Sequence, residues 1–164
     1  MDVEPDDLAG VVDLFGALTR AELGEALAEL AFKRGEDYDP DAFADDVAAA
    51  ERDYYLLAVE PDAVTAGAVP ADADEVLVVG PVAFPALPEG ASDLPHIMDV
   101  AERGTDRDAV GRAAEQRFRS DAAEAVEAED HERVAALLDV SYELEAWAPV
   151  DLSGARDRLD AATE

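Results

Sequence analysis

LTRAELGEALAELAFKRG, residues 18–35, runs directly into EDYDPDAFADDVAAAERDYYLLAVE, residues 36–60, and this passage decides the fold. Thr19-Arg20-Ala21-Glu22 is a capping box, in which the threonine oxygen accepts from the Glu22 amide while the Glu22 carboxylate reaches back to the Thr19 amide. Leu23, Leu27 and Leu30 then line one helical face, and Lys33, Arg34 and Gly35 supply a basic last turn and a C-terminal stop. A second helix is expected from Pro40, with Phe43, Val47, Ala50 and Tyr54 at helical spacing. Near Tyr55 the period shortens to that of a strand, YLLAVE, and after a Pro-, Ala- and Asp-rich connection a second valine-rich run, EVLVVGPVAF, reads as its partner.

Upstream, Pro5 opens a helix whose Leu8, Val11, Val12, Phe15 and Leu18 form one stripe. Downstream, PALPEGASDLP is a proline-broken linker, and the rest reads helical: Asp93 to Arg103, Asp106 to Ala128, His131 to Trp147, and a last helix from Ser153. These elements predict a mostly α chain with a small β-hairpin, of α+β class. A winged-helix-like unit over residues 1–88 is expected to precede an all-helical unit over 89–164, packed together as one compact domain.

In a winged helix the third helix enters the major groove and the strand pair carries the wing. Here residues 36–53 hold eight acids, Glu36, Asp37, Asp39, Asp41, Asp45, Asp46, Glu51 and Asp53, against Arg52 alone. The connection EPDAVTAGAVPADADE contains no base. Affinity for DNA comes largely from cations that neutralise phosphates, so this helix is repelled by DNA. Protein contact is therefore the favoured use of the scaffold, and direct nucleic-acid contact is the alternative. For DNA to bind, Lys33, Arg34 and the downstream arginines would have to supply the positive surface.

The whole chain of 164 residues carries 41 acids and 12 bases, a formal net charge of −29, spread along its length. Self-repulsion of this size opposes compaction and is relieved in concentrated salt, where the Debye length falls to roughly 3 Å near 1 M. Acid clusters therefore report a salt-adapted surface before they report metal sites. Asp37, Asp39 and Asp41 alternate like a calcium loop, but Ala42 and Ala48 stand where the glycine and the bidentate glutamate are needed. No metal and no cofactor is expected. Cysteine is absent, which removes disulfides, thiol nucleophiles and zinc-thiolate sites. His96 and His131 have no second histidine at helical spacing, and His96, beside Ile97 and Met98, is expected to be packed. Serines lack a G-x-S-x-G setting, and no phosphate loop is present. No catalytic residue is assigned, and an enzyme without a recognisable motif is the second alternative.

Two further features stand out. Five arginines, Arg103, Arg107, Arg112, Arg117 and Arg119, face only Asp106, Asp108 and Glu115 between residues 103 and 119. They are the candidate contacts to an anion or partner, against pairing with the chain's own carboxylates. The single tryptophan, Trp147, is the candidate packing anchor, with an interface hot spot as the alternative.

LFGALTRAELGEALAELAFKRG (14–35), GPVAFPALPEGASDLPHIMDV (80–100) and LLDVSYELEAWAPVDLSG (137–154) resemble a haloarchaeal family of uncharacterised proteins over nearly the full length. That resemblance implies a salt-rich cytoplasm and a single-unit architecture, and it implies no activity. The N-terminus lacks a basic, apolar-cored leader, and the longest apolar run, Val76 to Pro88, is broken by three prolines. The expectation is a cytoplasmic protein with no membrane contact that acts through a protein partner or self-association.

Overall fold

A computed structural model of the chain describes residues 1–163. The protein is mostly helical, with two small two-stranded sheets, and it divides into two compact units, Met1–Asp106 and Arg107–Glu164.

Helix α1 (Pro5–Phe15) starts at a capping box between Glu4 and Asp7, buries Leu8, Val11, Val12 and Phe15, and stops at Gly16. Leu18 then forms a single antiparallel bridge to Leu77, with reciprocal backbone bonds of 3.1 and 2.7 Å. Helix α2 (Arg20–Lys33) has the capping box expected of Thr19 and Glu22 and buries Leu23, Ala26, Leu27 and Leu30. Helix α3 (Pro40–Arg52) is capped by the Asp39 carboxylate, which accepts from the Asp41 and Ala42 amides. The alternating aspartates at 37–41 thus contain a helix cap.

Buried Tyr54, with φ 67°, turns the chain from α3 into strand β1 (Leu56–Val59). The connection that follows contains a short strand, β2 (Val64–Ala66), and returns as β3 (Val76–Val79). Strands β1 and β3 pair antiparallel from Leu56↔Val79 to Val59↔Val76. Leu18 takes the other edge at Leu77, so Val76, Leu77 and Val78 are all buried. Residues flanked on both edges and covered by helices read as continuous apolar runs, which is why VLVV does not alternate.

Two sequence expectations are corrected downstream of β3. The division of the chain falls after Asp106 and not after residue 88. Residues 89–106 belong with the first unit because Ala91 and Leu94 enter its core and strand β4 (Gly104–Thr105) pairs with β2. Proline content marked the segment as a linker, but its apolar side chains are buried. The helix expected over 93–103 is only α4 (Leu94–Met98), because Asp99 adopts a left-handed conformation at φ 53°. His96 on this helix is exposed, since Leu94 is the residue that turns inward.

The second unit consists of α5 (Arg107–Glu127), α6 (His131–Trp147) and α7 (Ser153–Thr163). Val110, Ala114, Phe118 and Ala122 are the buried stripe of α5, as their spacing predicts, while Val134, Leu137 and Leu144 serve α6. Helices α6 and α7 are joined by a polar network. Arg156 pairs with Glu145, donates to the Ser141 hydroxyl at 3.0 Å and lies 4.2 Å over the Tyr142 ring, while Glu145 also accepts from the Leu152 amide at 2.9 Å. The Leu152 amide and then Arg156 hold the Glu145 carboxyl below its ordinary range.

Candidate functional site

Helices α2 and α3 are packed at one edge and parted at the other, where they leave a pocket of about 310 Å³. Its body is apolar: Leu27 from α2, Phe43 and Val47 from α3, and the ring of Tyr38 from the loop between them. Tyr38 stacks on Phe43 with ring centroids 5.0 Å apart, which fixes one end of the pocket. Small residues create the space. Gly24 leaves room opposite the Tyr38 hydroxyl, and Ala44 and Ala48 line the pocket from the exposed side of α3.

Arg20 occupies the other end. Its guanidinium forms a two-pronged pair with Glu51 at the end of α3 and a further bond to Glu75 just before β3. These bonds tie three elements together and raise the Arg20 pKa above its already high ordinary value, with Glu51 as the main cause. One cation between two carboxylates leaves this end of the pocket acidic. Beyond Phe43 lies a wider, acid-rimmed depression that shares Phe43 with the apolar pocket and is bordered by Asp2, Asp37, Asp39 and Asp46.

Sequence reasoning did not single out this pocket. Its signal was Gly24, a helix-weakening residue inside an otherwise helical run, but the pairing of α2 with α3 is needed to show which space the missing side chain leaves.

The five candidate arginines do not come together as one surface. Arg103 belongs to the first unit and is inside it, with its side chain 4% exposed. It donates to both Glu22 oxygens at 2.6 and 2.8 Å and to the Ala17 and Ala68 carbonyls. The reading of Arg103 as an outward contact is therefore corrected: its anion is Glu22 of the same chain. The other four lie on α5. Arg117 is paired with Asp121 at 3.4 Å, and Arg119 with Glu115 at 2.9 Å and the Asp151 carbonyl at 2.9 Å. Arg107 and Arg112 are exposed and have no carboxylate partner among the described residues. Self-pairing thus accounts for three of the five.

Trp147 closes α6 as a half-buried residue next to buried Leu144 and Ala148. Trp147→Ala is expected to lower the melting temperature by less than a fully buried tryptophan would, whose loss costs about 3–5 kcal/mol. Thermal melts beside size-exclusion chromatography check this. Unchanged melting with lost self-association would assign the ring to an interface.

A family model described as a family of unknown function, DUF7109, matches residues 6–164. The chain belongs to this family. No curated protein and no solved structure matches it. No helix among the described residues is long and apolar enough to cross a membrane.

Proposed function

We propose that the first unit is a winged-helix-like scaffold used for protein contact in a salt-rich cytoplasm. Its order α1, Leu18 bridge, α2, α3, β1, β3, with β3 between β1 and Leu18, supports the scaffold: three helices and the antiparallel β1–β3 pair, extended at one residue by the Leu18 bridge, with the long β1–β3 connection as the counterpart of a wing. The observation that carries the function is the outward side of α3. Asp41, Asp45 and Asp53 are exposed there with Arg52 as the base, and the wing residues Asp62, Asp72 and Asp74 are acidic. A duplex approaching in the usual way meets carboxylates at both helix and wing, which opposes phosphate contact.

Of the bases that could have reversed this, the two next to α3 are engaged. The Lys33 ammonium donates to the Gly90 carbonyl at 2.9 Å and pairs with Asp93, and Arg34 lies 3.5 Å from Glu36. The net charge of −29 supports the salt-rich setting.

Cross-linking in cells, read for both protein and DNA, tests the proposal. The expected result is a recurrent protein partner with no enrichment of particular DNA fragments, together with no shift of genomic fragments by the isolated protein in roughly molar potassium chloride, a salt level that itself weakens phosphate contacts. Discrete footprints upstream of genes would overturn protein contact in favour of a DNA-binding regulator.

A further inference from the structure

The pocket between α2 and α3 and the acidic depression beyond Phe43 have Phe43 as a common wall, and their chemistry is complementary to a single kind of segment. We infer that this surface is an anchor site for a partner peptide carrying a large aromatic side chain flanked by lysine or arginine. The inference rests on the protein-contact reading above and adds the place and the chemistry.

Size comes first. A volume of about 310 Å³ lies at the bottom of the range of small-molecule sites. An open pocket of that size with an aromatic end suits one anchoring side chain. Large aromatic anchors seated in such pockets dominate many protein interfaces. The walls suit a ring: Tyr38 and Phe43 offer stacked faces at one end, and Leu27 and Val47 provide aliphatic contact. Ala44 and Ala48, which are exposed, let a partner backbone come close to α3.

Charge selects the flanks. Asp41 and Asp45 stand one turn before Ala44 and Ala48 on α3, and residues three apart on a helix are surface neighbours. Both aspartates are exposed. On the far side of Phe43 the depression adds Asp37 and Asp46, and at the opposite end Arg20 is outnumbered by Glu51 and Glu75. An apolar anchor entering this pocket is thus surrounded by carboxylates in three directions. A basic flank gains contact ion pairs that survive at short range even where salt screens the longer-range field, and an acidic flank is rejected.

The test titrates three blocked tripeptides, Lys-Trp-Lys, Lys-Ala-Lys and Glu-Trp-Glu, into the full chain at the lowest potassium chloride concentration that keeps it folded. Backbone amide resonances are the readout. Lys-Trp-Lys is expected to shift Gly24, Ala44 and Ala48 saturably and the other two peptides to bind at least about tenfold more weakly. Ala44→Leu, which fills the pocket from an exposed helical position, is expected to remove the Lys-Trp-Lys response while leaving the melting temperature in place. Asp41→Asn with Asp45→Asn is expected to bring Lys-Trp-Lys and Glu-Trp-Glu closer together. Equal responses to Lys-Trp-Lys and Lys-Ala-Lys would show charge condensation alone and overturn the site. So would equal responses to the two tryptophan peptides, or shifts that map elsewhere. If Ala44→Leu keeps its cross-linked protein partner in cells, this site is wrong while the protein-contact function stands. DNA footprints would instead remove the function itself.

Discussion

Arg103→Ala is expected to destabilise the first unit by about 3–5 kcal/mol, the range for removing one partner of a buried ion pair. The Glu22 carboxylate, 12% exposed, would remain in its niche, still accepting from the Thr19 amide but without its counter-charge. The carbonyls of Ala17 and Ala68 would each lose a donor as well. The substitution therefore loosens three places together: the start of α2, the turn after α1 and the connection between β1 and β3. Thermal melts of wild type, Arg103→Ala, Glu22→Gln and the double variant give the coupling energy directly. Additive losses would show that the pair is not a unit.

The same pair has a pH signature. Burial raises the pKa of the Glu22 carboxyl, but the Arg103 guanidinium and the Thr19 amide and hydroxyl outweigh it and hold Glu22 below the usual glutamate range. A depressed carboxyl contributes stability that is present above its unfolded value, about 4.3, and is lost as pH falls through its folded value. The stability difference between wild type and Glu22→Gln is therefore expected to be constant from neutral pH down to about 5 and to shrink below about 4. Comparison with the variant is essential, because protonation of the many surface carboxylates relieves repulsion in both proteins at once.

Gly16 belongs to this arrangement. It has φ 86°, and a Cβ there would lie 1.9 Å from the Arg103 carbonyl oxygen, while the Arg103 amide donates to Phe15 O at 2.7 Å. Gly16→Ala is expected to lower stability by more than the about 1–3 kcal/mol of the backbone strain alone, as read in thermal melts. A loss under 1 kcal/mol would mean that the two backbones separate freely.

Dilution from molar salt to roughly 0.1 M is expected to unfold or loosen the protein, the largest effect of all. The Debye length rises from roughly 3 to 10 Å across that range, which brings neighbouring surface carboxylates into mutual repulsion. With 41 acids and 12 bases, pairing cannot neutralise the surface, and the most enclosed cation, Arg103, is already used inside it. Far-ultraviolet circular dichroism followed during dilution should show loss of helix, reversed by adding potassium chloride. An unchanged melting temperature between the two salts would show that the arrangement of charges, and not screening, holds the fold.

Local chemistry in the sequence determined much of the secondary structure. The Thr19–Glu22 capping box, Pro40 behind Asp39, and the span from His131 to Trp147 depend on neighbours within a turn, and all are present. The net charge, the absence of cysteine and the acidity of α3 are likewise properties of the sequence alone. Tertiary structure decided what depends on distant residues. The segment 89–106 reads as a broken linker because prolines dominate its local preference, yet Ala91 and Leu94 are buried in the first unit and Gly104–Thr105 pairs with β2. Arg103 reads as a surface cation until Glu22, 81 positions away, is seen to meet it. Leu18 becomes a sheet edge only through Leu77. Gly24 likewise outlines a pocket only once Tyr38 and the small residues of α3 are set opposite it. Helix caps and periodicities are short-range interactions and can be read along the chain, whereas the partner of a buried charge or the walls of a pocket are fixed by long-range packing that no local window contains.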